Sequence, residues 1–436
     1  MSANAANLSD KSLLIVFSYA PAGFGHLRVT DALYHGLSNK ENSIILEVPE
    51  NVITFMHRLT SIHPIMLKIF QLMQKGIAEE IVTRIYRVVL HLRTRHLYRQ
   101  ITDLIKQRDH RVKTLLVIST HFALNHQIGK IKPKLEKELG LKLVLVVQVT
   151  DDSPQKLWYV RRADIIFTPS KETSQALIEY GRKNHYREPR FEVIPYPISP
   201  PLVDLLSEER YKNRLEQLNP QSQTQIEVMI PVSGAAVGLE FSLTLSRLLS
   251  AVNPRFKFNV LVKKTLYTEM FVRKMTELPH VNVHIFPEDR QMVDNYEEIY
   301  QQQTISIEIT KPSEQAFKAL LSSQQVGGSI LLFTQPVGRQ EYDNLEYLRR
   351  NKLIPSLEET QNLWQGSKEV RRMEIEVRGW RGIQLPDDPQ YANVFINWLM
   401  SRRVLEEMAK FVPKDTSKSK GVEQFWQKVS EFLDSA

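Results

Sequence analysis

Five short groups of residues in this chain of 436 have side chains and backbone suited to phosphate and hydroxyl chemistry. In Ala20-Pro-Ala-Gly-Phe-Gly-His26, Gly23 and Gly25 let the backbone approach a ligand closely, and His26 can donate a hydrogen bond or help deprotonate a hydroxyl. Asp151, followed by Asp152, is a carboxylate placed to orient a hydroxyl or act as its base, or else to close an Asx-turn. Ser233-Gly-Ala-Ala-Val-Gly238 offers backbone amides to a diphosphate, with Ser233, Gly234 and Gly238 as contacts, or forms an ordinary tight turn. Lys311-Pro-Ser-Glu314 offers Lys311, Ser313 and Glu314 to a second phosphate or a ribose, and its plain alternative is a helix start. Gln340, Glu341 and Asn344 put two amides and a carboxylate at a spacing that can hold several hydroxyls of one hexose, or that serves loop and N-cap hydrogen bonding.

These groups need elements to hold them, and the hydrophobic pattern supplies them. Ser12–Ser18 is a short apolar run rich in β-formers. The glycine loop follows, then a helical pattern over Val29–Leu37, which together open a βαβ unit. Ser43–Val48, Thr114–Ser119, Lys142–Thr150, Ala163–Thr168 and Phe191–Ile194 read as further strands. Two of them, Thr114–Ser119 and Lys142–Thr150, are near-continuous apolar runs, as parallel strands covered on both faces must be. Ser170 caps a helix over Lys171–Tyr180, with Gly181 at its end. Pro195-Tyr-Pro-Ile-Ser-Pro-Pro201 has four prolines in seven residues and can join neither a helix nor a central strand.

Beyond this hinge the same order restarts. Ile226–Val232 reads as a strand, Leu239–Val252 as a helix, and Lys257–Val262, Asn282–Phe286, Thr304–Thr310 and Ser329–Thr334 as strands. A helix is expected from Pro312 to about Leu321, and Tyr391–Ala436 is helical apart from residues 413–420. Two successive β/α halves predict the α/β class with two doubly wound sheets. All five groups then fall just beyond the carboxyl ends of strands, where open α/β sheets bind ligands. The domains expected are 1–201, carrying a basic helical segment over 51–113, then 202–390, then helices over 391–436.

At this point a family resemblance enters. The Ser18–His26 loop resembles the N-terminal Gly-Gly-Gly-His loop of the diacylglycerol glycosyltransferases and MurG-like enzymes. Leu145-Val-Val-Gln-Val-Thr-Asp151 with Trp158, Ala163–Tyr180 with Val193-Ile-Pro-Tyr-Pro197, and Gly338-Arg-Gln-Glu-Tyr-Asp-Asn344 with Tyr347-Leu348 resemble further passages of that family, in the same order. Over residues 12 to 350 the chain is similar to the monogalactosyldiacylglycerol synthase and processive diacylglycerol glucosyltransferase group. The resemblance implies the GT-B architecture, two Rossmann-like domains facing across a cleft, with the C-terminal helices returning to the first lobe. It implies transfer of a hexose from a nucleotide-sugar, a UDP-hexose, to a diacylglycerol-like membrane lipid. His26 and Asp151 would be catalytic, and Gly25, Ser233, Gly234, Gly238, Lys311, Ser313, Glu314, Gln340, Glu341 and Asn344 would bind the donor.

Three features depart from the family. Only two of the six residues Ser233–Gly238 are glycine. Ser313-Glu314 stand where the family has Gly-Gly. The acidic residue that grips the donor ribose falls on Lys318 or Ala319. These departures motivate an alternative, a non-catalytic or regulatory protein on a GT-B scaffold.

Composition narrows the remaining classes. There is no cysteine, which excludes disulfides, cysteine-based zinc sites and thiol catalysis. No Asp-x-Asp cluster offers a site for Mg²⁺ or Mn²⁺, so no bound metal or cofactor is expected. No run approaches the ~20 apolar residues of a membrane span, and the polar N-terminus lacks a secretory pattern. The reading is cytoplasmic, with peripheral membrane association. The net charge is +8, and residues 51–113 alone hold twelve Lys/Arg against four Asp/Glu. Basic and bulky apolar residues interleave there, which suits an anionic membrane surface, with Arg84, Arg87, Arg93 and Arg95 as contacts, or a helical pair packed on the sheet. No nucleic-acid-binding module is present, so the expected partners are anionic lipid and a nucleotide-sugar.

Overall fold

The computed structural model describes residues 8–20, 24–48, 76–232, 236–369, 375–377, 379–412 and 417–435. The chain divides into two compact units, Met1–Ser199 with Lys420–Ala436, and Pro200–Ser419.

In the first unit six parallel strands run in the order β2-β1-β3-β4-β5-β6. They are β1 (Leu13–Tyr19), β2 (Ser43–Glu47), β3 (Thr114–Ser119), β4 (Lys142–Gln148), β5 (Ile165–Thr168) and β6 (Arg190–Val193). The central strands are buried along nearly their whole length, so both sheet faces are covered and apolar runs replace alternation. The second unit has six more: β7 (Ile226–Pro231), β8 (Phe256–Lys263), β9 (Val281–Phe286), β10 (Ile307–Thr310), β11 (Ile330–Phe333) and β12 (Gly382–Gln384). Their order is β12-β11-β10-β7-β8-β9, also parallel. The chain is therefore α/β with two Rossmann-like doubly wound sheets, as its pattern predicts.

The helices that matter for the sites are α1 (Phe24–His35), α2 (Gly76–Leu92), α3 (Arg95–Lys106), α4 (Phe122–Leu139), α5 (Lys171–Lys183), α6 (Leu239–Val252), α7 (Arg339–Arg350) and α8 (Gly421–Ser435). Helix α8 belongs to the first unit. Its Trp426 indole donates to the Leu33 carbonyl at 2.9 Å, and its Val422 lies where a side chain on Gly36 would need to be.

Several local expectations are corrected. α1 begins at Phe24, earlier than Val29, so His26 stands in a helical first turn. α5 is capped by Ser170, which accepts from the Thr173 N–H, but it runs through Gly181 to Lys183. Gly181 is there for space: a Cβ would sit 2.3 Å from the Tyr159 ring. The helix expected after Pro312 is a 3-10 helix, Glu314–Leu320, and β12 had no expected counterpart. The part of the basic segment over 51–75 lies outside the described residues.

Candidate functional site

In each sheet the strand order reverses at one point, between β1 and β3 in the first unit and between β7 and β10 in the second. Connections leave such a point toward opposite faces, which opens a crevice at the carboxyl edge.

At the first crevice, the His26 Nδ1 lies 2.7 Å from the Thr120 carbonyl just after β3. A carbonyl oxygen only accepts, so Nδ1 carries the hydrogen, and Nε2 is the basic nitrogen of the neutral ring. Thr120 and Thr30 hydroxyls both donate to the His26 carbonyl, fixing the turn. The His26 ring meets His121 edge-on at 4.6 Å, with Phe122 and Trp158 further round. The Thr150 hydroxyl lies 3.4 Å from both His26 Nδ1 and Asp151 Oδ2, so one hydroxyl links the two expected catalytic groups. Gly25 and Asp151 are half-buried, whereas Gly23 lies outside the described residues. Asp152 serves the fold instead: buried, it accepts from Ser170 and Thr173 at the start of α5.

Sequence reasoning missed part of this crest. Ser18 and Ser119 are register partners on β1 and β3, fully buried, and their hydroxyls have no hydrogen-bond partner. The same holds for both amide atoms of Asn125 in the first turn of α4 and for Oε1 of Gln148 at the end of β4. Buried polar atoms without partners cost about 1–3 kcal/mol each. The available signal was a run of polar residues, Ser119-Thr-His121, directly after an apolar strand.

At the second crevice, Ala236 and Gly238 are both left-handed, with φ of 53° and 82°, and Gly238 is the N-cap of α6. For Ala236 that conformation is strained. Ser233 and Gly234 lie outside the described residues. One strand over, Lys311 Nζ lies 2.5 Å from Glu341 Oε1, while Glu341 Oε2 accepts from the Val337 N–H at 2.7 Å. Ser313, Glu314 and Gln340 are half-buried around the same edge. Asn344 corrects its expected role. It is fully buried and donates to the Pro312 and Ser313 carbonyls at 3.2 and 3.3 Å, so it positions the loop and does not reach outward.

Lys318, where the resemblance places an acidic ribose contact, is committed inside. Its ammonium lies 2.6 Å from Glu308 and 2.7 Å from the Tyr296 hydroxyl. Two fully buried guanidiniums, also unforeseen, organise residues 321–328. Arg214 donates to the Gln325 and Val326 carbonyls and Arg381 to those of Leu321 and Gly328. Burial lowers them to about 9 and about 10 respectively.

The basic segment is of two kinds. Arg84, Arg93 and Arg95 are exposed, Arg84 pairing with Glu80. Arg87, expected on a membrane-facing surface, is only 4% exposed and donates to the Tyr180 hydroxyl and to the Lys156 and Tyr159 carbonyls. Helix α2 also exposes Ile81, Ile85, Val88 and Leu92, at 53%, 61%, 59% and 80%, spaced to form one stripe. Among the described residues no group of His, Asp and Glu could hold a metal ion, and no helix is long and apolar enough to cross a membrane.

The chain holds two Rossmann-like units, each with a six-stranded parallel sheet, the two kinds of domain that the GT-B expectation requires. No protein-family model matches the sequence, and no curated protein matches it. Solved structures similar in chain path include the Staphylococcus aureus MnaA–UDP co-structure, 11% identical, covering 97% of this chain and 96% of that one with a TM-score of 0.47. The UDP-GlcNAc 2-epimerase of Neisseria meningitidis bound to UDP-GlcNAc is 10% identical over 96% and 99%, with a TM-score of 0.45. Arabidopsis thaliana UGT89C1 complexed with UDP-L-rhamnose is 11% identical over 96% and 99%, with a TM-score of 0.46. Likenesses this distant carry no functional argument, which rests on the side chains.

Proposed function

We propose that the protein is a glycosyltransferase that moves a hexose from a UDP-hexose to a diacylglycerol-like membrane lipid. The observation that carries this reading is the second crevice. There a left-handed turn opens α6 beside Lys311 and Glu341, which brings helix-start amides and an ammonium to the reversal point of a Rossmann-like sheet. That is the chemistry a diphosphate needs. Glu341 releases Lys311 when a stronger anion arrives and is then placed to accept a sugar hydroxyl. In the first unit, His26 and Asp151 take the acceptor side, with His26 Nε2 as base and Asp151 orienting the hydroxyl. The exposed stripe of α2, with Arg84, Arg93 and Arg95 near it, is the surface that rests on anionic lipid. The protein then works at the cytoplasmic face of a membrane as a peripheral enzyme, with no bound metal or cofactor.

One observation favours a second reading. Lys318 is locked to Glu308, so no acidic side chain stands where the resemblance puts the ribose contact. A regulatory protein that binds nucleotide-sugar without transferring it would have this feature. Calorimetry with UDP and UDP-hexoses, alongside transfer of labelled hexose to vesicles containing diacylglycerol, separates the two. Binding with transfer supports the enzyme, binding without transfer supports the second reading, and absence of both sinks the donor site.

A further inference from the structure

The first unit contains a cavity apart from the crest of His26 and Asp151. Its volume is about 150 Å³, and its polar lining is Arg87 and His91 from α2, His126 and Lys130 from α4, and Arg161 and Arg162 from the turn before β5. Among the described residues no carboxylate lines it. The acids on the neighbouring turn of α2 are engaged elsewhere, Glu80 with Arg84 and Glu79 with Lys156.

The fold builds this cluster deliberately at two points. Pro133 lies inside α4 and has no N–H, so the Gly129 carbonyl one turn earlier has no helical donor. Arg162 Nη1 donates to that carbonyl at 3.3 Å, which holds its guanidinium at the cavity. Arg87 spends its terminal nitrogens on a hydroxyl and two carbonyls, all neutral, and its buried Nε has no hydrogen-bond partner. Its charge is thus held out of water with no counter-ion among the described residues, an arrangement that costs stability unless an anion arrives. The histidines report the same field. Burial, then Lys130, Arg161, Arg162 and Arg87, hold His91 below its ordinary value, and burial with Arg87 pushes His126 down to about 3.

We infer that this pocket is a phosphate-binding site, in which Arg87, Lys130, Arg161 and Arg162 receive a phosphate dianion. Guanidiniums suit phosphate because their planar fork donates in pairs. The phosphate comes free from solution or as a lipid headgroup.

The test uses the full chain and the variant Arg161→Gln/Arg162→Gln, both positions being exposed, with thermal unfolding as the check on folding. Inorganic phosphate is titrated by calorimetry. Separately, phosphatidylcholine vesicles with and without phosphatidic acid are sedimented with each protein. The expected result is saturable one-to-one phosphate binding that weakens about tenfold or more in the variant. Binding that is confined to phosphatidic-acid vesicles and lost in the variant supports the site with a lipid source. The inference is overturned if both proteins bind phosphate equally, or if neither binds either probe. A Lys130→Gln variant provides the second reading if the double variant proves unstable.

Discussion

Lys318 and Glu308 face each other 2.6 Å apart in the interior of the second unit, with the hydroxyls of Tyr296 and Tyr300 on the same carboxylate oxygen. Both side chains are almost wholly inaccessible, at 4% and 0%. Removing one partner strands the other charge. Lys318→Met is expected to lower unfolding free energy by about 3–5 kcal/mol, and Lys318→Met with Glu308→Gln to recover most of that loss. Urea unfolding of the three proteins measures it. Similar losses in the single and double variants would show that the ion pair is not what the position contributes.

His26→Gln and Asp151→Asn test the acceptor side. Each is expected to reduce hexosyl transfer by about 10²–10⁴-fold while leaving UDP affinity unchanged, since general-base contributions are of that size. Far-ultraviolet circular dichroism controls for folding. A variant that transfers at the parental rate removes that residue from the mechanism.

Acid should weaken the first unit through His126. Its folded value is about 3 against 6.5, because burial opposes the charged ring and Arg87, His91 and Arg161 repel it, against one favourable bond to the Leu157 carbonyl. The unfolded chain therefore binds a proton below pH 6.5 that the native state refuses. Stability is full above that pH and falls toward pH 3, by up to ~1.4 kcal/mol per pH unit, and the lowered His91 adds in the same direction. Denaturant unfolding at several pH values should give a shallower slope for His126→Gln than for the parent. Equal slopes would mean that His126 does not titrate in this way.

The apolar stripe of α2 predicts how the protein meets a membrane. Ile85→Ser with Leu92→Ser should reduce sedimentation with anionic vesicles at high salt, where charge is screened and insertion remains. Arg84→Glu should reduce it mainly at low salt. The stripe has no such role if binding at high salt is the same in both proteins.

How much of this was legible in the sequence depended on how local the cause was. Strands β3 and β4 showed themselves because a parallel strand covered on both faces is an uninterrupted apolar run. The Ser170 cap was equally visible, since its partner, the Thr173 amide, is three residues away. Gly181 was misread because the reason for it, the Tyr159 ring, is distant in sequence, and a glycine needed for space looks the same as one that ends a helix. Arg87 failed in the same way, and the burial of Lys318 was equally hidden. A long basic side chain reads as surface until the hydroxyls, carbonyls or carboxylate that receive it have been brought together by the fold. His26 and Asp151 were named correctly as neighbours of strand ends, but the Thr150 hydroxyl between them could not be foreseen.

Helix α8 sets an order of events during synthesis. The strands of the second unit and the helices around them lie within residues 200–419, so that unit has its full complement of chain once residue 419 has emerged from the ribosome. The first unit, although its sheet is translated earlier, must wait for residues 421–435 before Phe17 and Leu33 gain Trp426 and the cover of Val422 closes over Gly36. The half translated first is therefore the half completed last, and until then it exposes the α1 surface to whatever holds nascent chains.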